Sequence, residues 1–77
     1  MIQSPEAAGT ITLTVNGAPR ELAGNSTIAS LLGSLKIDPR LVVIEHNRSI
    51  LRNREDYPET GLSQGDVVEI VHFVGGG

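Results

Sequence analysis

Few residues in this sequence of 77 can do chemistry. There is no Cys, so the chain offers no thiol nucleophile, no disulfide and no Cys-based zinc site. His46 and His72 stand alone, without metal-ligand spacing, and no nucleophile-elbow pattern surrounds any serine. His46 reads as a surface residue beside a turn, and Asp66, after Gly65, as a turn-shaping residue. Glu55-Asp56 lies in a polar stretch and reads as solvated charge. What remains is the carboxylate of Gly77, set behind Gly75 and Gly76. Glycine lacks a Cβ, so such a tail can thread a channel too narrow for any side chain. Four extended residues from Val74 reach about 14 Å. A free carboxylate is a poor electrophile, but adenylation supplies AMP as a leaving group. A sulfur nucleophile can then displace AMP and leave a thiocarboxylate, a soft sulfur donor. A glycine tail alone is weak support for that chemistry, and the residues before it must supply the rest.

Seventy-seven residues predict one domain, with a thin core at this size. With one Phe, one Tyr and no Trp, that core must be aliphatic. Residues 1–9 lack periodicity and read as a flexible leader. Residues 10–74 read as the folded domain and 75–77 as a flexible tail. In TITLTV, Ile11, Leu13 and Val15 alternate with threonines, the period of a half-buried strand. Asn16-Gly17 predicts a two-residue hairpin turn. The return strand, about 18–22, carries Pro19 and so belongs at a sheet edge. Ser26 or Thr27 can cap a helix whose stripe is Ile28, Leu31, Leu32 and Leu35, ended by Asp38-Pro39. LVVIE (41–45) predicts a buried strand, 46–49 a turn, and Ile50-Leu51 a short return. Residues 53–64 predict irregular structure with at most a short helical turn, and 67–74 a last strand.

One helix among four or five strands must cover one face of one sheet. The expected fold is α+β, a β-grasp (ubiquitin-like) domain: a mixed four- to five-stranded sheet with the first and last strands adjacent at its centre, covered by one main helix. Expected core residues are Ile11, Leu13, Val15, Ile28, Leu31, Leu32, Leu35, Val43, Val68 and Ile70. On the last strand Val68, Ile70, His72 and Val74 share one face, and Val67, Glu69, Val71 and Phe73 the other. The second set forms an apolar stripe on the open sheet face, with Phe73 and Val71 as docking anchors and His72 and Val74 beside them.

The net charge of −3 argues against nucleic acid and anionic membranes as partners. It is uneven: the chain nets +2 through Arg54 and −5 beyond it. That asymmetry predicts either solvated acidity or a basic partner at the C-terminal end. No segment approaches the roughly 20 apolar residues of a membrane span, and the N-terminus lacks signal-peptide character. The expectation is a cytoplasmic protein.

Residues 15–22 (VNGAPREL), 26–32 (STIASLL), 38–47 (DPRLVVIEHN) and 65–77 (GDVVEIVHFVGGG) together resemble the ThiS family of ubiquitin-like sulfur carriers of thiamin biosynthesis. The resemblance implies a carrier rather than an enzyme, with no bound cofactor. It implies ATP-dependent adenylation of Gly77 by a ThiF-type enzyme. A sulfur donor of the cysteine desulfurase or persulfide type would supply the sulfur. A ThiG-type thiazole synthase would receive it. Two departures stand out. Arg48 follows Asn47 where the family usually has Gly, which predicts another turn type. Ser30 replaces the Glu of a capping box, which predicts a weaker cap. The small subunit of molybdopterin synthase is a related carrier, but its last strand typically carries prolines before Gly-Gly, and residues 72–74 have none. A ubiquitin-like binding or conjugating module would instead form an amide and pass no sulfur.

Overall fold

A computed structural model describes residues 9–73. Five strands form one mixed sheet in the order β2-β1-β5-β3-β4. The first strand, β1 (Thr10–Val15), pairs antiparallel with β2 (Ala18–Ala23). Asn16 and Gly17 have φ of 51° and 83°, the positive values a type I′ turn requires. β2 is an edge strand, as Pro19 requires, and runs one residue further than expected. Gly24 N–H donates to Gly9 O at 2.7 Å, which ties the start of the described chain to the end of β2.

The helix α1 (Ile28–Ser34) buries Ile28, Leu31 and Leu32. Thr27 caps it. Ser30 N–H donates to Thr27 Oγ1 at 3.1 Å, and Thr27 N–H donates to Ser30 Oγ at 2.7 Å. The reciprocal box is therefore closed by a serine, where a missing Glu predicted a weaker cap. The helix ends well before Asp38-Pro39. Leu35 is the C-cap, half-buried rather than core, and Lys36 adopts φ 59°. Lys36 N–H donates to Gly33 O at 3.1 Å and Ile37 N–H to Leu32 O at 3.0 Å, the two bonds of a Schellman closure. Asp38-Pro39 instead begins a 3₁₀ turn, Pro39–Leu41, in which Asp38 accepts from Arg40 N–H.

That turn moves the next strand. β3 is Val42–His46, one residue later than expected, and Leu41 is 54% exposed. Val42 and Ile44 are buried, while Val43 is half-buried and points to the opposite face, so Val43 is not a core residue. β4 (Ser49–Leu51) returns through Asn47 and Arg48, whose φ are 50° and 74°. The expected change of turn type does not occur. β5 holds the turn instead: Asn47 N–H donates to Val67 O, and Asn47 Oδ1 accepts from Val67 N–H, both at 2.8 Å.

A 3₁₀ segment, Arg54–Glu59, delivers Tyr57 to the core, and Leu62 follows. Neither was an expected core residue. Backbone bonds from Ile28 N–H to Thr60 O and from Leu62 N–H to Ser26 O fasten this stretch to the helix start. β5 (Val67–His72) lies between β1, to which it is parallel, and β3, to which it is antiparallel. Leu13, Leu31, Leu32, Ile44 and Val68 lie at the centre of the core, each at most 2% exposed.

Candidate functional site

The alternation of β5 divides its side chains as expected. Val68 and Ile70 are buried under the helix, while Val71 and Phe73 on the open face are 59% and 58% exposed. Val67 joins them on that face. Val43, paired with Val71, and Ile50, paired with Glu45, extend the apolar surface across β3 and β4. Alternation identifies the β5 members; it does not identify Val43 and Ile50, because the run LVVI fits either face of β3 and β4 is too short to show a period. His72 is exposed, opposite Val42. Val74, Gly75, Gly76 and Gly77 lie outside the described residues.

β5 is held unequally along its two sides. β3 pairs with it as far as His72, and Phe73 N–H donates to Leu41 O at 2.9 Å. β1 pairs only with Val67 and Val68. Beyond that point the side chain of Asn16 replaces a strand. Its Oδ1 accepts from Ile70 N–H at 2.6 Å and its Nδ2 donates to Ile70 O at 3.2 Å. The root of the tail is thus fixed through Phe73 by backbone bonds on one side and one amide on the other.

The titratable groups organise structure. His46 Nε2 lies 2.8 Å from Asp66 Oδ2, and both side chains are largely buried. Asp66 also accepts from Asn47 Nδ2 at 3.1 Å and from Ser63 N–H at 2.9 Å. Burial pushes the Asp66 carboxyl up, but the bonds from His46, Asn47 and Ser63 outweigh it and leave the carboxyl below its ordinary value. His46 is therefore a latch partner rather than a free surface residue, while Asp66 shapes the turn as expected. The neighbouring Ser63 meets the pair through its backbone N–H rather than its hydroxyl. No cluster of metal-ligating side chains occurs among the described residues, and no helix among them is long and apolar enough to cross a membrane.

The folded charges differ from their sum along the chain. Glu55, Asp56 and Glu59 lie on the 3₁₀ segment, and Asp66 is used internally. Of the five acidic residues beyond Arg54, Glu69 is the one on the open face, directly opposite Glu45 on the same face. Beside Phe73, at the tail root, Arg52 and Arg54 line a cleft. The end of β4 thus returns basic residues to the tail root, beside the acidic stretch that follows Arg54 in sequence.

A family model described as the ThiS family matches residues 13–77. The sulfur carrier protein ThiS of Bacillus subtilis is 47% identical over 51 residues, covering 66% of this chain and 76% of that protein. Thiazole synthases of Paramagnetospirillum magneticum and Magnetococcus marinus are 38% and 35% identical over 65 and 63 residues. The match covers 84% and 82% of this chain but only 20% and 19% of theirs. The crystal structure of the thiamine biosynthesis protein (ThiS) of Geobacter metallireducens superposes with a TM-score of 0.74 at 37% identity, over 87% of this chain and all of that one. The sequence match extends across the β-grasp sheet and through the terminal glycines, and on that basis the chain belongs to the ThiS family.

Proposed function

We propose that this chain carries sulfur for thiazole formation in thiamin biosynthesis, with the Gly77 carboxylate as the group that is modified. A ThiF-type enzyme would adenylate Gly77 with ATP and release pyrophosphate. A persulfide sulfur from a donor of the cysteine desulfurase type would displace AMP, and a second thiol would cleave the resulting acyl disulfide to leave the thiocarboxylate. A ThiG-type thiazole synthase would accept that sulfur. The chain binds no cofactor of its own in this scheme and acts as a protein cosubstrate. The observation that carries the reading is the family match running without a break from β1 to Gly77. The thiazole synthases that contain a similar stretch within a longer chain support the same destination.

Val71 and Phe73, with His72 and Val74 beside them, are the proposed contacts for the activating enzyme. An exposed aromatic at the tail root is the residue type that concentrates interface energy. Phe73→Ala should lower kcat/KM for adenylation by roughly tenfold with the thermal midpoint unchanged. Unaltered kinetics would remove Phe73 from the interface. The central experiment is intact mass spectrometry after incubation with ATP, the activating enzyme and a sulfur source. One oxygen should be replaced by sulfur, and fragmentation should locate it on Gly77. Sulfur gained by a chain lacking Gly77 would refute the assignment.

A further inference from the structure

We propose that the cleft beside the tail root receives an acidic protein segment carrying one large apolar side chain. Building on the sulfur-carrier reading, this is the surface by which a partner enzyme grips the carrier next to its tail. β4 stops at Leu51, opposite Ile44, so Val42 and Val43 have no neighbour on that side. The chain turns away through Arg52 to the 3₁₀ segment and leaves a cleft of about 250 Å³. Its apolar lining includes buried Val42 and Tyr57 and exposed Ile50 and Phe73. Small-molecule sites usually run to about 300–1,000 Å³. This smaller cleft suits a single side chain.

The charge of the occupant follows from Arg52 and Arg54. Both are exposed and both line the cleft. The two ion pairs among the described residues, Arg40–Asp38 and His46–Asp66, use neither of them. Glu55 and Asp56 follow Arg54 in sequence but do not line the cleft. Neither arginine forms an ion pair with a described carboxylate, although the charge of Arg54 reaches Asp38; two guanidinium groups so placed, beside apolar surface, suit the planar fork of a carboxylate. Glu45 and Glu69 face each other further along the open face. Like charges directly opposite repel, so they disfavour an acidic segment there and confine it to the cleft. Phe73 belongs to both the cleft and the tail root, so a partner seated in the cleft holds the tail at its base.

The test uses the full chain with the ThiF-type and ThiG-type enzymes of the proposed function, titrated by calorimetry at about 50 and 300 mM salt. Arg52→Gln combined with Arg54→Gln should raise Kd about tenfold for at least one enzyme and flatten its salt dependence. Arg52→Lys with Arg54→Lys should restore part of the affinity, and Arg20→Gln on β2 should change nothing. A double Gln variant that keeps its thermal midpoint and binds both enzymes within about twofold of wild type overturns the proposal. A wild-type dimer that the double Gln variant dissociates also overturns it, since the occupant would then be a second copy of this chain. Wild type that binds neither enzyme and gains no sulfur overturns the carrier reading itself.

Discussion

Replacing Asn16 by Gly removes a side chain that functions as part of the sheet. Glycine keeps the positive φ of the turn at no steric cost, so the substitution isolates the amide. Two hydrogen bonds disappear, one to Ile70 N–H and one to Ile70 O. The bond from Asn16 N–H to Val68 O at 2.9 Å stays, because it belongs to the backbone. Each lost bond is worth about 1 kcal/mol net, and about 1–3 kcal/mol if its Ile70 partner remains dry. The expected loss for the two bonds is about 2–6 kcal/mol, a large fraction of the roughly 5–15 kcal/mol that holds a domain together. In a chain this short, each kcal/mol lost should lower the thermal midpoint by about 4–8 °C. Asn16→Ala should cost about 1 kcal/mol more, because alanine resists the left-handed conformation. Urea titration measures the energies, and amide hydrogen exchange at Ile70 reports the local bond. A Gly variant within about 0.5 kcal/mol of wild type, with Ile70 exchange unchanged, would refute the claim that this amide substitutes for a strand.

Lys36→Gly should stabilise the chain by about 1 kcal/mol in urea titration, because Lys36 closes the helix at φ 59°, where glycine is relaxed. No gain would mean that the lysine side chain compensates elsewhere. Ile44→Ala should cost about 2–5 kcal/mol, as should Leu31→Ala. Val43→Ala should cost under about 1.5 kcal/mol, since Val43 lies half-buried on the other face; equal losses at 43 and 44 would reverse the face of β3. The Asp66 carboxyl has a lowered value in the folded chain. Its contribution is therefore complete above its unfolded value, about pH 4, and is lost as pH falls through the lower folded value. Asp66→Asn should be less stable at neutral pH and should flatten the acid limb of stability against pH; an unchanged acid limb would count against the latch.

The legible parts of the fold were those with an unambiguous period. TITLTV can bury only Ile11, Leu13 and Val15 together, and Asn16-Gly17 and Pro19 then set the turn and the edge. LVVI offers four apolar residues in a row, and either face of a strand accommodates such a run. The Asp38 cap decided the matter by drawing Leu41 into the 3₁₀ turn, which shifted the strand and turned Val43 outward. Tyr57 and Leu62 were hidden because the stretch around them has no period. The Ser30 box and the Arg48 turn were read as departures from family preference. In the fold the box is closed by a local bond from Thr27 N–H to Ser30 Oγ, and the turn is held by a long-range bond from Val67 N–H to Asn47 Oδ1, neither of which residue preference encodes. At the site, the β5 stripe was visible by alternation, but the cleft was not. It depends on where β4 stops, and its charge depends on which strands lie side by side.

The two turn asparagines show what the proposed carrier role requires of the fold. Both were legible as turn formers, yet each also bonds to β5, Asn47 at Val67 and Asn16 at Ile70. Asn47 thereby fixes the start of the central strand and Asn16 fixes it where β1 no longer reaches it, and Phe73 is the last described residue held by a backbone bond. From that point the four remaining residues span at most about 14 Å. In the proposed function, the reacting carboxylate must lie within that distance of Phe73 in every partner. A partner bound on the helix side would place the sheet between its own site and the open-face stripe. The open face and the cleft meet at Phe73 itself. Restricting the tail's reach therefore restricts the docking surface, and the chemistry of Gly77 and the arginines at the sheet corner become parts of one requirement.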